Sequence, residues 1–288
     1  MDEGILIYAH NNELIDYARM SYCCALLAKH HLNRPVCLVT DYETWEDFKT
    51  HHNRIDVFDH VEIIKEFNPR RSSRRTYGSR DNVYYHNKTR DTAYEITPFK
   101  KTLVLDSDYL VLDDGLKYIW DLEQPMMANR CLVNISDPAN YLSQKLSDIS
   151  IPLYWATVFY FEKKFGRVEE FFENWKGVSE NFDFYSHTYN YRSGMYRNDF
   201  AFSVAEHSTS DYAYDTYSDV FSHTSFCKPL PVPYLLTAGN DDEIVDVDRS
   251  GFLMKTDSGM PCKITSSFHC MNKVSLQNNL PKIIELYE

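Results

Sequence analysis

The chain has 288 residues, with 42 acidic and 30 basic side chains and a formal net charge of −12. A chain this long can bury a large core, and the acidic balance argues against a general nucleic-acid surface. No apolar run approaches the roughly 18 to 20 residues of a membrane span, and Met1 is followed by neither a basic leader nor a cleavage site, so a soluble, cytoplasmic protein is expected.

Hydrophobic residues make up 43% and aromatic residues 15% of the sequence, as in a folded globule. No Pro/Gly/Ser-rich linker divides residues 1–288, so one domain is expected, with residues 1–114 and 115–288 as its two halves. Seven cysteines, including the adjacent Cys23 and Cys24 but no Cys-x-x-Cys spacing, predict free buried thiols.

Residues 4–9 form a first apolar run and predict a buried strand, followed by a polar turn and a helix over 13–31 that ends at Asn33-Arg34-Pro35. Residues 35–41 read as a second strand ending in Asp41. Strand, helix and strand in about 40 residues predict a right-handed parallel crossover. No Gly-x-Gly-x-x-Gly follows the first strand, which disfavours a nicotinamide dinucleotide site. A shorter third strand fits 57–64.

The stretch 65–100 holds nine basic residues (Lys65, Arg70, Arg71, Arg74, Arg75, Arg80, Lys88, Arg90, Lys100) against four acids (Glu66, Asp81, Asp91, Glu95). Residues 69–80 read as a surface loop, either simply solvated or gripping an anionic partner such as a donor diphosphate or a phosphate-rich acceptor. A helix fits 87–96 and is broken by Pro98. Its Lys88 and Arg90 lie within one turn, placed to hold a sugar or phosphate, or to pair with Asp91 and Glu95.

Residues 102–105 are apolar without alternation and run into Asp106-Ser107-Asp108. That pattern predicts a strand buried on both faces, and ligands bind outside the carboxyl ends of such strands. If the chain stays extended through Asp108, both carboxylates share a face. Converging carboxylates need a cation or a proton between them, and hard oxygen ligands suit Mg²⁺ or Mn²⁺. The alternative is a strand-terminating turn whose carboxylates cap backbone amides.

Further along, residues 153–161 are strongly β-prone, and 169–181 predict a helix with Phe171, Phe172 and Trp175 on its apolar side. Tyr185, Tyr189, Tyr191 and Tyr196 then crowd a polar stretch ahead of residues 197–205. Aromatics so placed stack sugars or bases, or serve as core and rim. Near the end, His269 follows an acidic loop (Asp241, Asp242, Glu243, Asp246, Asp248) and precedes Lys273 by four residues.

In this order the pieces resemble the GT-A-fold, nucleotide-sugar-dependent glycosyltransferases, especially the glycogenin-like and galactosyltransferase-like group. The resemblance rests on the N-terminal βαβ, on the block 87–111 leading into Asp-x-Asp, and on the C-terminal His269-x-x-x-Lys273. The glycine that group often carries between His and Lys is absent here, and residues 155–161 lack its Asn-x-Gly strand. The wording of several blocks is also similar to glycosyltransferases encoded by tailed bacteriophages, which would place the protein in the host cytoplasm.

The resemblance implies an α/β fold with a mixed, mainly parallel, Rossmann-like sheet flanked by helices. It implies a Mn²⁺ or Mg²⁺ cofactor and a nucleotide-sugar donor, UDP-linked. Asp106 would meet the donor ribose and the cation, Asp108 would be the main metal ligand, and His269 would complete the site. Lys273 would neutralise the leaving diphosphate. Tyr8 and Ala9 would line the base pocket, with Asp41 on the uracil or ribose and Lys88 on the phosphates. Arg90 would orient the sugar, and Asp199 would be the acid on the acceptor or sugar face. The His-x-x-x-Lys element leans toward retention of configuration.

The acceptor is then a hydroxylated base in phage DNA, reached by the basic segment 65–100 with the tyrosines stacking a flipped base, or a glycan. Two readings compete from other classes. A metal-dependent phosphohydrolase could use Asp106 and Asp108, but it expects its acid pair after the first strand. A non-catalytic carbohydrate- or nucleotide-binding protein could keep the same fold.

Overall fold

The structure, a computed structural model, describes residues 1–288 except 53, 65–72, 76–81, 85–87, 148–149, 194–195, 213–224 and 258. β1 (Glu3–Tyr8) is buried from Gly4 onward. Gly4 is required there, because a Cβ would sit 2.4 Å from the Phe99 ring. The following helix, α1 (Tyr17–Leu32), starts later than its apolar periodicity predicts. Asn12 Oδ1 accepts from the N–H groups of Leu14 and Ile15 and holds a turn, and Asp16 caps the helix by accepting from Arg19 N. Asn33, left-handed with φ 52°, ends it. β2 (Val36–Asp41) follows, then α2 (Tyr42–His51), capped by Asp41 through Thr44 N. β3 (His60–Ile64) is shorter than expected, because residues 55–57 form a 3₁₀ turn and Asp59 anchors the strand entry by accepting from Val36 N and pairing with Lys29.

β4 (Ser73–Arg75) and β5 (Asn82–Tyr84) pair antiparallel. Most of the basic loop expected at 69–80 lies outside the described residues. The helix expected over 87–96 is a 3₁₀ turn, Lys88–Thr92, continued by one α-turn, α3 (Ala93–Ile96). Then come β6 (Lys101–Asp106), β7 (Tyr109–Leu110), β8 (Met126–Asn129), β9 (Cys131–Asn134), β10 (Asp137–Ser143) and β11 (Trp155–Glu162). Three helices follow: α4 (Gly166–Glu180), α5 (Phe182–Thr188) and α6 (Asn198–Thr209). The chain closes with β12 (Cys227–Lys228), β13 (Tyr234–Ala238), β14 (Glu243–Asp248), β15 (Gly251–Lys255), β16 (Pro261–Ile264), β17 (Phe268–Cys270) and α7 (Lys273–Tyr287).

A seven-stranded sheet in the order β12-β8-β11-β6-β1-β2-β3 forms the centre. Strands β6, β1, β2 and β3 run parallel, and β11 lies antiparallel between β6 and β8. The fold is thus mixed α/β with a mainly parallel sheet flanked by helices, as the sequence predicts. A second sheet, β10-β9-β13-β17-β7, takes over where β6 ends, and β14-β15-β16 form an antiparallel meander beside α7. All eight residues of β11 are buried. Phe161 meets Phe172 of α4 at 4.9 Å between ring centroids, and Phe171 meets Phe202 of α6 at 4.9 Å. Each such ring stabilises the fold by about 1.5–3 kcal/mol, which is what fixes α4 and α6 over this end of the sheet. All seven cysteines are free thiols, six of them buried. Among the described residues no helix is long and apolar enough to cross a membrane.

Candidate active site at the turn between the two sheets

From β1 the chain moves through α1 to β2 on one side, whereas from β3 it returns to β6 on the other side of β1. The direction of strand addition therefore reverses between β1 and β6, and a crevice opens at the carboxyl ends of these strands. Tyr8 and Asp106 are direct register partners at that point.

Asp106 ends β6, and Ser107-Asp108 is a turn rather than the extended continuation that the alternation argument assumed. The turn delivers Tyr109 and Leu110 to the second sheet, where β7 pairs with β17 and sets His269 opposite Tyr109. The carboxylates converge because the chain changes sheets here. Cys24 of α1 supports the turn from beneath, its Sγ donating to Tyr109 O at 3.1 Å and Asp106 O at 3.6 Å. From the other side Cys270 N donates to Asp108 O at 3.0 Å.

One ligand atom each from Asp106, Asp108 and His269 lies within 4.8 Å of the other two. Two carboxylate oxygens and an imidazole nitrogen form a donor set that suits Mn²⁺ or Mg²⁺. Both carboxylates already face cations. Arg90, buried, is ion-paired with Asp106 and donates from Nη1 to Ala156 O at 2.6 Å. Lys273, the first residue of α7, is ion-paired with Asp108 and donates to Cys270 O at 3.0 Å, while His269 Nε2 lies 3.3 Å from Asp108 Oδ2. Burial alone would raise the Asp108 carboxyl, but the charges of Lys273 and His269 hold it far below the usual carboxylate range.

Of the remaining expected residues, Tyr8, Ala9 and Asp41 lie at the ends of β1 and β2, and Asp199 is bonded to Ala156. Tyr8 is buried, its hydroxyl 3.3 Å from Thr92 Oγ1, so it supports the turn that carries Arg90, and burial pushes its phenol up. Ala9 N donates to Val39 O at 3.0 Å, just past the end of β1. Asp41 lies 3.0 Å from His10 Nδ1 and accepts from Thr44 N and Oγ1, both at 2.8 Å. Burial opposes its ionisation, but these hydrogen bonds bring its carboxyl down to about 2. Lys88 opens the 3₁₀ turn, and its side chain lies outside the described residues. Asp199, in the first turn of α6, accepts from Ala156 N at 2.9 Å and from Arg197 at 2.7 Å and is not part of the three-ligand group.

Tyr185, Tyr189, Tyr191 and Tyr196 pack partly buried against the core. Tyr191 stacks on Phe200 at 4.5 Å, and Tyr196 hydrogen-bonds Trp175 and Ser179. Sequence reasoning missed the parts of the site that depend on non-local pairing: Cys24, the Ala156 carbonyl and Asn272, which caps α7 through Ser275 N. Only the last had a visible signal, an Asn three residues before a Ser at the head of the periodic run Leu276, Leu280, Ile283.

No family model matches this chain, and no curated protein matches it. Solved structures that it resembles include glycosyltransferases. A galactosyltransferase LgtC in complex with donor and acceptor sugar analogues is 17% identical, over 70% of this chain and 69% of that one, with a TM-score of 0.45. Mouse xyloside xylosyltransferase 1 is 12% identical over 72% and 82%, with a TM-score of 0.41. The glycosyltransferase GlyE of Streptococcus pneumoniae is 13% identical over 70% of this chain, which spans 42% of that protein, with a TM-score of 0.38.

Proposed function

We propose that this protein is a metal-dependent glycosyltransferase that moves a sugar from a nucleoside diphosphate sugar, UDP-linked, to an acceptor hydroxyl. The observation that carries the reading is the gathering of Asp106, Asp108 and His269 at the β1/β6 switch point, with Arg90 and Lys273 ion-paired to the two carboxylates. Asp106, Asp108 and His269 would hold the cation. Bound there, Mn²⁺ or Mg²⁺ would supply Lewis-acid stabilisation of the departing diphosphate.

Glycosyl transfer turns a sugar–phosphate bond into a free diphosphate, so negative charge on the leaving group is the main electrostatic problem. Lys273 brings an ammonium to the mouth of the site and is the group that offsets this charge. Arg90, held by Ala156 O, orients the sugar beside Asp106. The ends of β1 and β2, with Tyr8, Ala9 and Asp41, form the nucleoside wall, and Lys88 serves the phosphates. Asp199 receives the acceptor proton or steadies the sugar cation, and to do so it must exchange its Arg197 contact, because its other oxygen is held by Ala156 N.

For the acceptor, the net charge of −12 favours a glycan over duplex DNA. The tyrosines do not separate the two, since Tyr191 stacks on Phe200 and the hydroxyls of Tyr189 and Tyr196 bond His207, Trp175 and Ser179. Product formed on hydroxymethylated duplex would restore the DNA acceptor, the basic segment 65–100 and the bacteriophage setting together.

Thermal stabilisation by a panel of nucleoside diphosphates and nucleotide sugars, with and without Mn²⁺, tests the donor half. Binding to the native state alone raises stability by about 2.7 kcal/mol at a hundredfold excess over Kd. The expected result is Mn²⁺-dependent stabilisation by one nucleotide sugar, absent in Asp108→Ala. No shift with any nucleotide would leave the binding-module reading. Metal-dependent release of phosphate from a simple monoester, with no sugar transfer, would favour the phosphohydrolase.

A further inference from the structure

Of the acidic loop expected over 241–248, Glu243–Asp248 form β14 instead; Asp241 and Glu243 are exposed, but Asp242, in the turn that enters this strand, is only 1% exposed. A carboxylate that deep is costly unless donors surround it. Its donors come from three separate connections. Gly239 N, in its own turn between β13 and β14, donates to Oδ2 at 2.6 Å. Ser136 Oγ, between β9 and β10, donates to Oδ1 at 2.7 Å, and Asp257 N, between β15 and β16, reaches the same oxygen at 3.1 Å.

The backbone of Asp242 continues the path toward the site. Its carbonyl accepts from Asn272 Nδ2 at 3.0 Å, and Asn272 Oδ1 accepts from Ser275 N at 3.0 Å, capping α7. Lys273 is the next residue after that cap. Met271 N donates to Ala238 O at the start of the same turn, and the neighbouring Thr237 is the register partner of His269. The turn that Asp242 closes therefore touches both sides of the His269–Lys273 segment.

We infer that Asp242 is a positioning residue: by tying three connections into one buried knot it fixes, through Asn272, where the start of α7 presents the Lys273 ammonium to Asp108 and to the donor diphosphate. The ligand named here rests on the glycosyltransferase reading, whereas the positioning does not.

Asp242→Asn keeps the side chain's size but cannot accept at both ends. In the free protein, hydrogen exchange at the Lys273 and Ser275 amides should quicken by roughly tenfold, with the β1 and β6 amides unchanged. Unchanged exchange at Lys273 and Ser275 would overturn the inference. With Mn²⁺ present, affinity for a nucleoside diphosphate should fall by roughly tenfold, the lower end of what lost outer-shell support costs. In a Lys273→Met background the same change should add less than about twofold, because a residue acting through Lys273 has nothing left to position. Losses that multiply in the double variant would show a general structural role and also overturn it. If the wild type binds no nucleoside diphosphate, the functional reading fails, while the exchange result still decides the positioning. Should Asp242→Asn not fold, Ser136→Ala removes one donor to Asp242 Oδ1 without touching the cap of α7 and must reproduce both changes in weaker form.

Discussion

Asp108 and Lys273 form an ion pair that joins the turn after β6 to the first residue of the last helix, with His269 on the same carboxylate. The ammonium therefore occupies one side of the group that would ligate a cation. Removing a positive charge from a cation site raises its affinity for cations, and removing it from a diphosphate site does the reverse.

Lys273→Met should thus split two affinities. Without nucleotide, Mn²⁺ binding measured by calorimetry or electron paramagnetic resonance should tighten by roughly tenfold, or about 1.4 kcal/mol. With saturating Mn²⁺, nucleoside diphosphate binding should weaken by at least a similar factor. Weaker Mn²⁺ binding in the variant would mean that Lys273 does not compete for Asp108.

Cys24 offers a test of the turn itself. Its thiol donates to the carbonyls on either side of Ser107-Asp108 from a site that is fully buried. Cys24→Ala leaves these carbonyls without that donor and opens a small gap, so a loss of about 1–2 kcal/mol in unfolding free energy is expected. Mn²⁺ affinity should fall severalfold with it, and Cys24→Ser, which keeps a donor, should recover part of both. A stability loss with metal affinity untouched would confine Cys24 to packing.

The legible part of the molecule is the part governed by local pattern. The apolar runs ending at Tyr8, Asp41 and Asp106 are strands because each is buried in the central sheet, and their order along the chain already implies a parallel crossover. Phe171, Phe172 and Trp175 mark the buried face of α4 for the same reason. The site was legible only as far as residue types: Asp106, Asp108 and His269 stand out, but that a sheet change brings them together is a property of the β7–β17 pairing. Asp41 shows the opposite case. A carboxylate at a strand end suggests a ligand contact, yet it also caps α2 and pairs with His10, and only the fold reveals how much of it is committed. Helix starts were misplaced where side chains compete with backbone, as Asn12 does ahead of α1.

Asp91 gives a pH signature. Burial pushes its carboxyl up to about 6 from 3.8, against a hydrogen bond from Ser179 and the attraction of Lys176. A carboxyl raised in the folded state binds its proton more tightly there than in the unfolded chain, so its contribution to stability is full below about 3.8 and is lost as pH rises through about 6. Asp91→Asn, fixed in the neutral form, should be more stable than the wild type at pH 7 by about 1–2 kcal/mol, the difference shrinking between pH 6 and 4. Paired urea titrations at pH 7 and pH 4 measure this, and an equal difference at both would rule out the titration of Asp91 as its cause.

Arg90 and Asp199 hold opposite sides of one residue: Ala156 O accepts from Arg90, and Ala156 N donates to Asp199. That geometry separates a supporting role of Asp199 from a chemical one. Asp199→Ala leaves a buried N–H without its acceptor and should cost about 1–3 kcal/mol of stability. Asp199→Asn can still accept from Ala156 N through its amide oxygen, so its unfolding curve should stay near that of the wild type, as should its affinity for the donor. If Asp199 takes the acceptor proton or steadies the sugar cation, turnover in Asp199→Asn falls by roughly 10²-fold or more, because an amide can do neither. If Asp199 only holds Ala156, turnover survives in Asp199→Asn and is lost in Asp199→Ala in step with folding, and the acid must then be sought elsewhere around Arg90.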